Sequence, residues 1–362
     1  MSERVIVVSG PGRVEVRAEE PPPSRPGTFR VETLYSGVSA GTELSYVKGT
    51  NPLLSARFDA ELGLFGAGGP DSAYPVARLG YMEVARVTES GTPAVAEGAL
   101  VAMAYGHRTG YLADPLVDRW VPLPEGLDPV LGVFVAHAGP ICANGLLHAA
   151  AEEFGPAVRD LGDGVRGRRV AVVGAGMIGL LTAAFAVRHG AESVLVLDGT
   201  SRRRAAAEAL GCDVLDPSAG DPAVAVKSRW RRGPRDRGAD VVFQCRGRAE
   251  ALHLALRLAR PQATVVDLAF YQGGAGEVRL GEEFHHNGLS VRCAQIGRVP
   301  RGLAATWDRE RLSAATVSMV RERGEWIRRH VVTATVPFDR GPDLLRDLAT
   351  RGRQEVAAIL EC

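Results

Sequence analysis

Long apolar runs are missing from this 362-residue sequence. None approaches the roughly 18 residues of a membrane-crossing helix, and the N-terminus, Met1-Ser2-Glu3-Arg4, lacks the apolar core of a secretory leader. The expectation is a cytoplasmic protein with no membrane partner. Cysteine is scarce as well. Cys142, Cys212, Cys245, Cys293 and Cys362 are scattered, odd in number and free of any Cys-x-x-Cys pair, which argues against both a disulfide framework and a zinc ribbon. Lysine is nearly absent: among 43 basic residues only Lys48 and Lys227 are lysines. Those two draw notice, because an amine can change protonation where a guanidinium does not. Excess charge of either sign is also lacking. A formal net charge of +1 gives the whole molecule no pull toward nucleic acid. One basic stretch, 227–237 (KSRWRRGPRDR), contains Trp230, and we read it as a solvated helix and loop ahead of a buried strand.

What is present begins with length, since a chain of this size exceeds one ordinary core and implies two domains. Up to about residue 124 the sequence alternates short strand-like runs (5–8, 13–17, 30–35, 83–88, 100–104 and 120–123) with Gly and Pro clusters. Residues 51–78 form a long glycine-containing insertion of the kind that is functional or mobile. After a helical stretch at 139–153 the pattern becomes strand-helix alternation. Strands are expected at 170–173, 194–197, 241–245, 264–268 and 291–296, with helices at 178–188, 203–210 and 250–260. This reads as a doubly wound parallel sheet. Beyond residue 297 helices at 312–328 and 343–351 flank strand-like 331–336 and 356–360, and the tail is expected to rejoin the first domain.

The most specific motif lies in the second region. Gly174-Ala175-Gly176-Met177-Ile178-Gly179 follows the apolar run Val170–Val173 and opens a helical segment, and the next apolar run ends in Asp198, nineteen residues past the last glycine. The spacing has a physical basis. The first glycine makes the tight turn, the second lets backbone N–H groups approach a pyrophosphate, the third lets helix and strand pack closely, and the acid meets ribose hydroxyls. Asp198 favours NAD; NADP is the alternative, with Arg202, Arg203 and Arg204 available to a 2′-phosphate.

Taken together, Tyr35-Ser-Gly-Val-Ser-Ala-Gly-Thr-Glu43, Leu79-Gly-Tyr-Met-Glu83, the glycine fingerprint, Gly238-Ala-Asp-Val-Val-Phe-Gln-Cys245, and Phe284-His-His-Asn with Gln295 make the chain resemble the medium-chain dehydrogenase/reductase superfamily. The resemblance covers nearly the whole length. It implies an α/β fold: a Rossmann doubly wound parallel sheet at 148–297 beside a β-rich GroES-like catalytic domain at 1–147, completed by 298–362. It further implies that Cys245 and Arg246 lie near the cofactor's adenosine and ribose, that Leu268 and Ala269 lie by the nicotinamide, and that a homodimer pairs through the edge strand 291–296.

The departures from that pattern carry as much information. Zinc-bearing relatives place a ligand cysteine where Ser39 or Ala40 stands here, a ligand histidine where Gly80 is followed by Tyr81 and Met82, and a four-cysteine lobe where 88–111 has no cysteine. No other set converges by spacing, His107, His137 and Glu83 being unrelated and His285-His286 adjacent, so no metal is expected. In this the chain is similar to the metal-free branch that includes bacteriochlorophyllide hydroxyethyl dehydrogenase-like proteins, whose substrates are diverse.

Without a metal, something else must meet the alkoxide from which hydride departs. Tyr81 is the first candidate, as acid or base, with Lys48, and Tyr46 beside it, able to lower the phenol's pKa. A packing tyrosine bonded to backbone is the competing role. Thr42 matches the family's relay hydroxyl or bonds its own turn; Glu43 orients a substrate hydroxyl or pairs with an arginine; His107 reads most simply as an edge-strand histidine. The expected activity is zinc-independent, NAD-dependent interconversion of a secondary alcohol and a ketone on a polar small molecule such as a polyol, cyclitol or sugar derivative. Two alternatives stay open: an NADPH-dependent quinone or enone reductase of the same superfamily, and an inactive NAD(H)-binding regulatory protein.

Overall fold

The computed structural model describes residues 2–66 and 69–362. The chain forms two compact units, one made of Met1–His137 with Val332–Cys362 and the other of Ala138–Val331. The second boundary therefore comes well after residue 297. The reason is α7, introduced below, which packs on helices of the second unit and belongs to it.

The first unit opens with β1 (Glu3–Gly10) and β2 (Arg13–Glu19), followed by β3 (Phe29–Val38) and the short helix α1 (Glu43–Lys48). The insertion after α1 is more than a loop. It carries a hairpin of β4 (Arg57–Asp59) and β5 (Leu64–Gly66), with Phe58 and Phe65 exposed, while its Ala67 and Gly68 lie outside the described residues. Next come β6 (Glu83–Ser90), β7 (Leu100–Met103), β8 (Gly110–Ala113) and β9 (Trp120–Pro122).

The second unit runs α2 (Ala138–Phe154), β10 (Arg169–Val173), α3 (Met177–Arg188), β11 (Ser193–Leu197), α4 (Ser201–Glu208), β12 (Asp213–Leu215) and α5 (Pro222–Arg229). A small hairpin, β13 (Arg231–Gly233) and β14 (Asp236–Arg237), leads to β15 (Ala239–Gln244), α6 (Ala249–Leu258), β16 (Ala259–Asp267), β17 (Ser290–Cys293) and α7 (Arg309–Trp326). The chain then returns to the first unit with β18 (Val332–Pro337), α8 (Gly341–Thr350) and β19 (Ala357–Glu361).

Side-chain patterning explains the contrast between the two sheets. In β3, Phe29, Val31 and Thr33 turn inward with period two, and the first two join Ala85, Val87, Val101 and Met103 in one apolar cluster, as an antiparallel sheet with one wet face requires. That sheet has the order β18-β19-β3-β6-β7-β9, with β8 also on β3, and antiparallel β19 on β3 knits the tail into it. A second cluster combines Ile6, Val8 and Leu44 with Phe338, Leu344 and Leu360. The tail is thus part of this unit's core.

In the second unit Val170, Val172, Val194, Val196, Val241 and Phe243 are all buried, because a parallel sheet is covered on both faces and needs continuous apolar strands. Its order is β12-β11-β10-β15-β16-β17, every pair parallel. This is the doubly wound order, with the strand direction of growth reversing between β10 and β15, and ligands of such sheets bind outside the carboxyl ends at that switch. The basic stretch resolves as surface: Trp230 is buried in the core, while Arg229 pairs with Asp213 and Arg232 with Asp240. Among the described residues no helix is long and apolar enough to cross a membrane.

Candidate functional site

The glycine turn sits at the switch point of the second unit. Gly174 ends β10 at φ +97°, a left-handed conformation that favours glycine, and a Cβ there would press on Arg246 at 3.0 Å. Gly176 caps α3 without a side-chain cap bond, and a Cβ on it would meet nothing within 4 Å. Open space therefore lies before the N–H groups of a twelve-residue helix, where an anion is favoured. Gly179 is the tight contact: a Cβ would stand 1.7 Å from the Gly174 carbonyl oxygen. Met177 is buried in the first turn of α3, and the Ile178 carbonyl accepts from Cys142.

The other predicted cofactor residues surround that turn. Asp198 follows β11, its Oδ2 accepting the Ala175 N–H at 2.9 Å and its Oδ1 the Thr200 N–H at 2.8 Å. Arg203 approaches the Asp198 carboxylate at 3.9 Å, and Arg204 Nη1 donates to the Asp198 carbonyl at 2.7 Å while pairing with Asp216 at 2.9 Å. Cys245 lies under Gly179, 3.5 Å from where its Cβ would be, and Arg246 flanks Gly174. Leu268 follows β16, half-buried, with its side chain packed on Gly145 of α2. Ala269 donates its N–H to Asp267 at 2.9 Å. Asp267 also accepts from Tyr271 at 2.8 Å, and Gln244 donates to the same tyrosine at 3.1 Å, a polar set at the ends of β15 and β16 that sequence reasoning missed.

In the first unit the structure brings together hydroxyls. Tyr81 stands in the loop before β6, its phenol bonded to the Ser39 hydroxyl and donating to Thr42 Oγ1 at 3.5 Å. Its ring lies 4.3 Å from that of His137, tilted by 46°. Thr42 occupies the N-cap of α1 without a cap bond to that helix, which leaves its hydroxyl facing Tyr81. Burial, then the charge of Glu43, pushes the phenol up to about 12 against the hydrogen bonds of Ser39 and Thr42. The expected lowering by Lys48 is thus reversed in sign. Lys48 ends α1 on the exposed side of the helix.

Behind the hydroxyls lies a buried polar group. Glu43 accepts the Ser39 N–H at 2.9 Å through Oε1 and meets His107 Nε2 at 3.0 Å through Oε2. His107 Nδ1 is 2.7 Å from Ser36 Oγ, which is 2.9 Å from Glu83 Oε1. His107 is no edge-strand residue: it is fully buried between β7 and β8. Burial works to lower its pKa, but the charge and hydrogen bond of Glu43 and the charge of Glu83 outweigh that and raise it. Among the described residues the one group of three His, Cys, Asp or Glu side chains with ligand atoms within 4.8 Å is His253, Glu282 and Glu283, in the second unit.

Known proteins share this architecture. A zinc-binding dehydrogenase family model matches residues 178–308. D-guloside 3-dehydrogenase of Shigella flexneri is 26% identical over 294 residues, 78% of each chain. The structure superposes on galactitol-1-phosphate dehydrogenase of Escherichia coli with a TM-score of 0.74 at 19% identity, over 99% of this chain and 100% of that one. A dehydrogenase of Sinorhizobium meliloti 1021 bound to NADP gives 0.73 at 21% identity, over 100% of both. The chain belongs to the medium-chain dehydrogenase/reductase superfamily. Its two units have the Rossmann and GroES-like folds of those structures. What distinguishes this medium-chain dehydrogenase/reductase is the content of its GroES-like unit. Sequence reasoning found Tyr81, Thr42 and Glu43 there but missed Ser39, His137 and the His107 network as partners. Only their pairing across strands shows them.

Proposed function

We propose that this chain is an NAD-dependent, zinc-independent dehydrogenase that interconverts a secondary alcohol and a ketone on a polyol, cyclitol or sugar derivative. The observation that carries the reading is the Tyr81 phenol bonded to Ser39 and facing Thr42, at the place where zinc-bearing relatives keep their ligands. Zinc asks for thiolate, imidazole or carboxylate donors converging on one point. Here the donors are three hydroxyls and the imidazole of His137, and both Glu43 oxygens are committed to Ser39 and His107. That set does not fit a zinc ion.

The residues of the glycine turn do fit a dinucleotide: open space before the α3 N–H groups for the pyrophosphate, and Asp198 for ribose hydroxyls. A carboxylate at that point repels a 2′-phosphate, which supports NAD over NADP. Bound nicotinamide supplies the hydride acceptor or donor. In the reductive direction Tyr81 Oη–H gives its proton to the ketone oxygen, the C=O becomes C–O–H, and the phenolate left behind is held by the Ser39 hydroxyl until it regains a proton from water. Oxidation runs the same steps in reverse and needs the phenolate. Because burial pushes that phenol up to about 12, the oxidation rate should climb with pH, by about tenfold per unit.

The substrate class draws on D-guloside 3-dehydrogenase and galactitol-1-phosphate dehydrogenase, both similar to this chain. A homodimer through the open edge of β17, where Val291 and Cys293 are exposed, belongs to the same reading, and light scattering tests it. The function is tested by supplying NAD with a panel of polyols, sugar acids and glycosides, and in parallel NADPH with quinones and enones. Turnover of the first panel supports it. Turnover confined to the second, or tight NADH binding with none, contradicts it.

A further inference from the structure

The hydroxyls of Ser39 and Tyr81 leave the chain from two segments forty-two residues apart, and the buried Glu43–His107 pair touches both segments. On the Ser39 side, the Glu43 carboxylate accepts that residue's own N–H at 2.9 Å. On the Tyr81 side, the His107 backbone N–H donates to the Leu79 carbonyl at 2.6 Å, and the imidazole borders Gly80. A Cβ on Gly80 would come within 2.8 Å of His107 Cε1, and the residue's φ of +101° already demands glycine. The segment that presents Tyr81 is thereby seated on the imidazole.

We propose that Glu43 and His107 are positioning residues, a buried pair that sets where the Ser39 and Tyr81 hydroxyls stand and that holds them aligned only while a shared proton is kept. This rests on the catalytic reading of those hydroxyls. Donor counting gives the proton. Ser36 has one hydroxyl hydrogen. With Glu43 ionised, if that hydrogen goes to Glu83 both nitrogens of His107 must donate and the imidazole is charged; if Glu83 carries the proton, Ser36 donates to Nδ1 and the imidazole is neutral. The two forms hold the same number of protons. Removing one leaves either the Glu43 or the Ser36 contact without a hydrogen, and an unmade bond at a fully buried group is expensive. The groups facing this proton are Glu43, Glu83, Tyr81 and Tyr105, and burial, opposed by His107 and by hydrogen bonds, raises Glu83 as well.

The test uses His107→Gln and Glu43→Gln in the full-length enzyme. Each should lower kcat by about 10²-fold, the scale of a 1 Å misplacement, with KM for the alcohol and Kd for NADH changed little. In the pH profile of oxidation the wild type should rise and then break where the shared proton is lost; His107→Gln should rise without that break. The double variant should be no worse than the poorer single one. Amide hydrogen exchange at Ser39 gives a readout independent of turnover and should quicken in both variants. If Tyr81→Phe keeps full activity while Ser39 exchange still quickens, the positioning stands and the catalytic reading of Tyr81 falls. A folded His107→Gln protein with wild-type kcat, pH profile and Ser39 exchange overturns the proposal. If that variant does not fold, the isosteric Glu43→Gln decides by the same three measurements.

Discussion

The two units of this enzyme build their sites in opposite ways. In the Rossmann unit six consecutive residues, Gly174 to Gly179, create the anion cradle from backbone geometry, and the side chains around it chiefly allow that backbone to exist. In the GroES-like unit the site is made of side chains from segments far apart: Ser39 and Tyr81 are 42 residues distant, Glu43 and His107 are 64, Ser36 and His107 are 71. The first kind of site tolerates change in its neighbours but not in its glycines. The second depends on strand register and buried hydrogen bonds, so it can exchange one chemistry for another by substituting the groups that a fixed framework presents.

That contrast can be broken by substitution. Tyr81→Phe should produce the largest effect, a loss of about 10²–10⁴-fold in kcat, because it removes the proton while keeping the ring on His137. NADH affinity, measured by fluorescence titration, should stay at the wild-type value. Gly179→Ala should do the converse. A methyl group 1.7 Å from the Gly174 carbonyl forces helix and strand apart, costing on the order of 3 kcal/mol by denaturant titration and weakening NADH binding before it touches the hydroxyls. If either substitution damaged both functions equally, the division of labour would fail. Asp198→Ala should act more mildly, raising kcat/KM with NADP relative to NAD by about tenfold or more, since it removes one charge at 2′-phosphate distance. An unchanged ratio would remove the ribose role.

Stability against pH sharpens the comparison at the smallest scale. His107 and Glu83 are both raised above their ordinary values of 6.5 and 4.5, so the folded state binds protons that the unfolded chain has released. The stabilisation is complete below those values and is lost as pH climbs through the folded pKa of each group. Tm should therefore fall as pH rises above those ordinary values, and Glu83→Gln should flatten that slope. A Tm that rises over the same range would contradict the raised values.

How much was legible beforehand follows the same divide. The doubly wound sheet, the glycine turn and Asp198 could be read from residue order, because parallel strands declare themselves as continuous apolar runs and a phosphate turn needs glycines at fixed spacing. Strand β12 was too short, at three residues, to stand out, and the hairpin at 57–66 was hidden in a loop-like stretch. In the other unit Tyr81 and Thr42 were visible as departures from a family pattern. Their setting was not. A histidine at 107 reads the same on paper whether it faces solvent or bridges a buried Glu43 and Ser36. Leu268 could be read as the end of a strand, but its packing against Gly145 of α2 could not.

The most direct test of the central claim is the rate of NAD-linked oxidation of an accepted polyol after exhaustive chelation, followed by added zinc. Metal content alone does not decide, since His253, Glu282 and Glu283 form a possible ligand set in the other unit. With Tyr81, Ser39 and Thr42 doing the chemistry, kcat should be unchanged with the metal gone and indifferent to its return. Activity that disappears with the zinc and comes back with it would contradict the account.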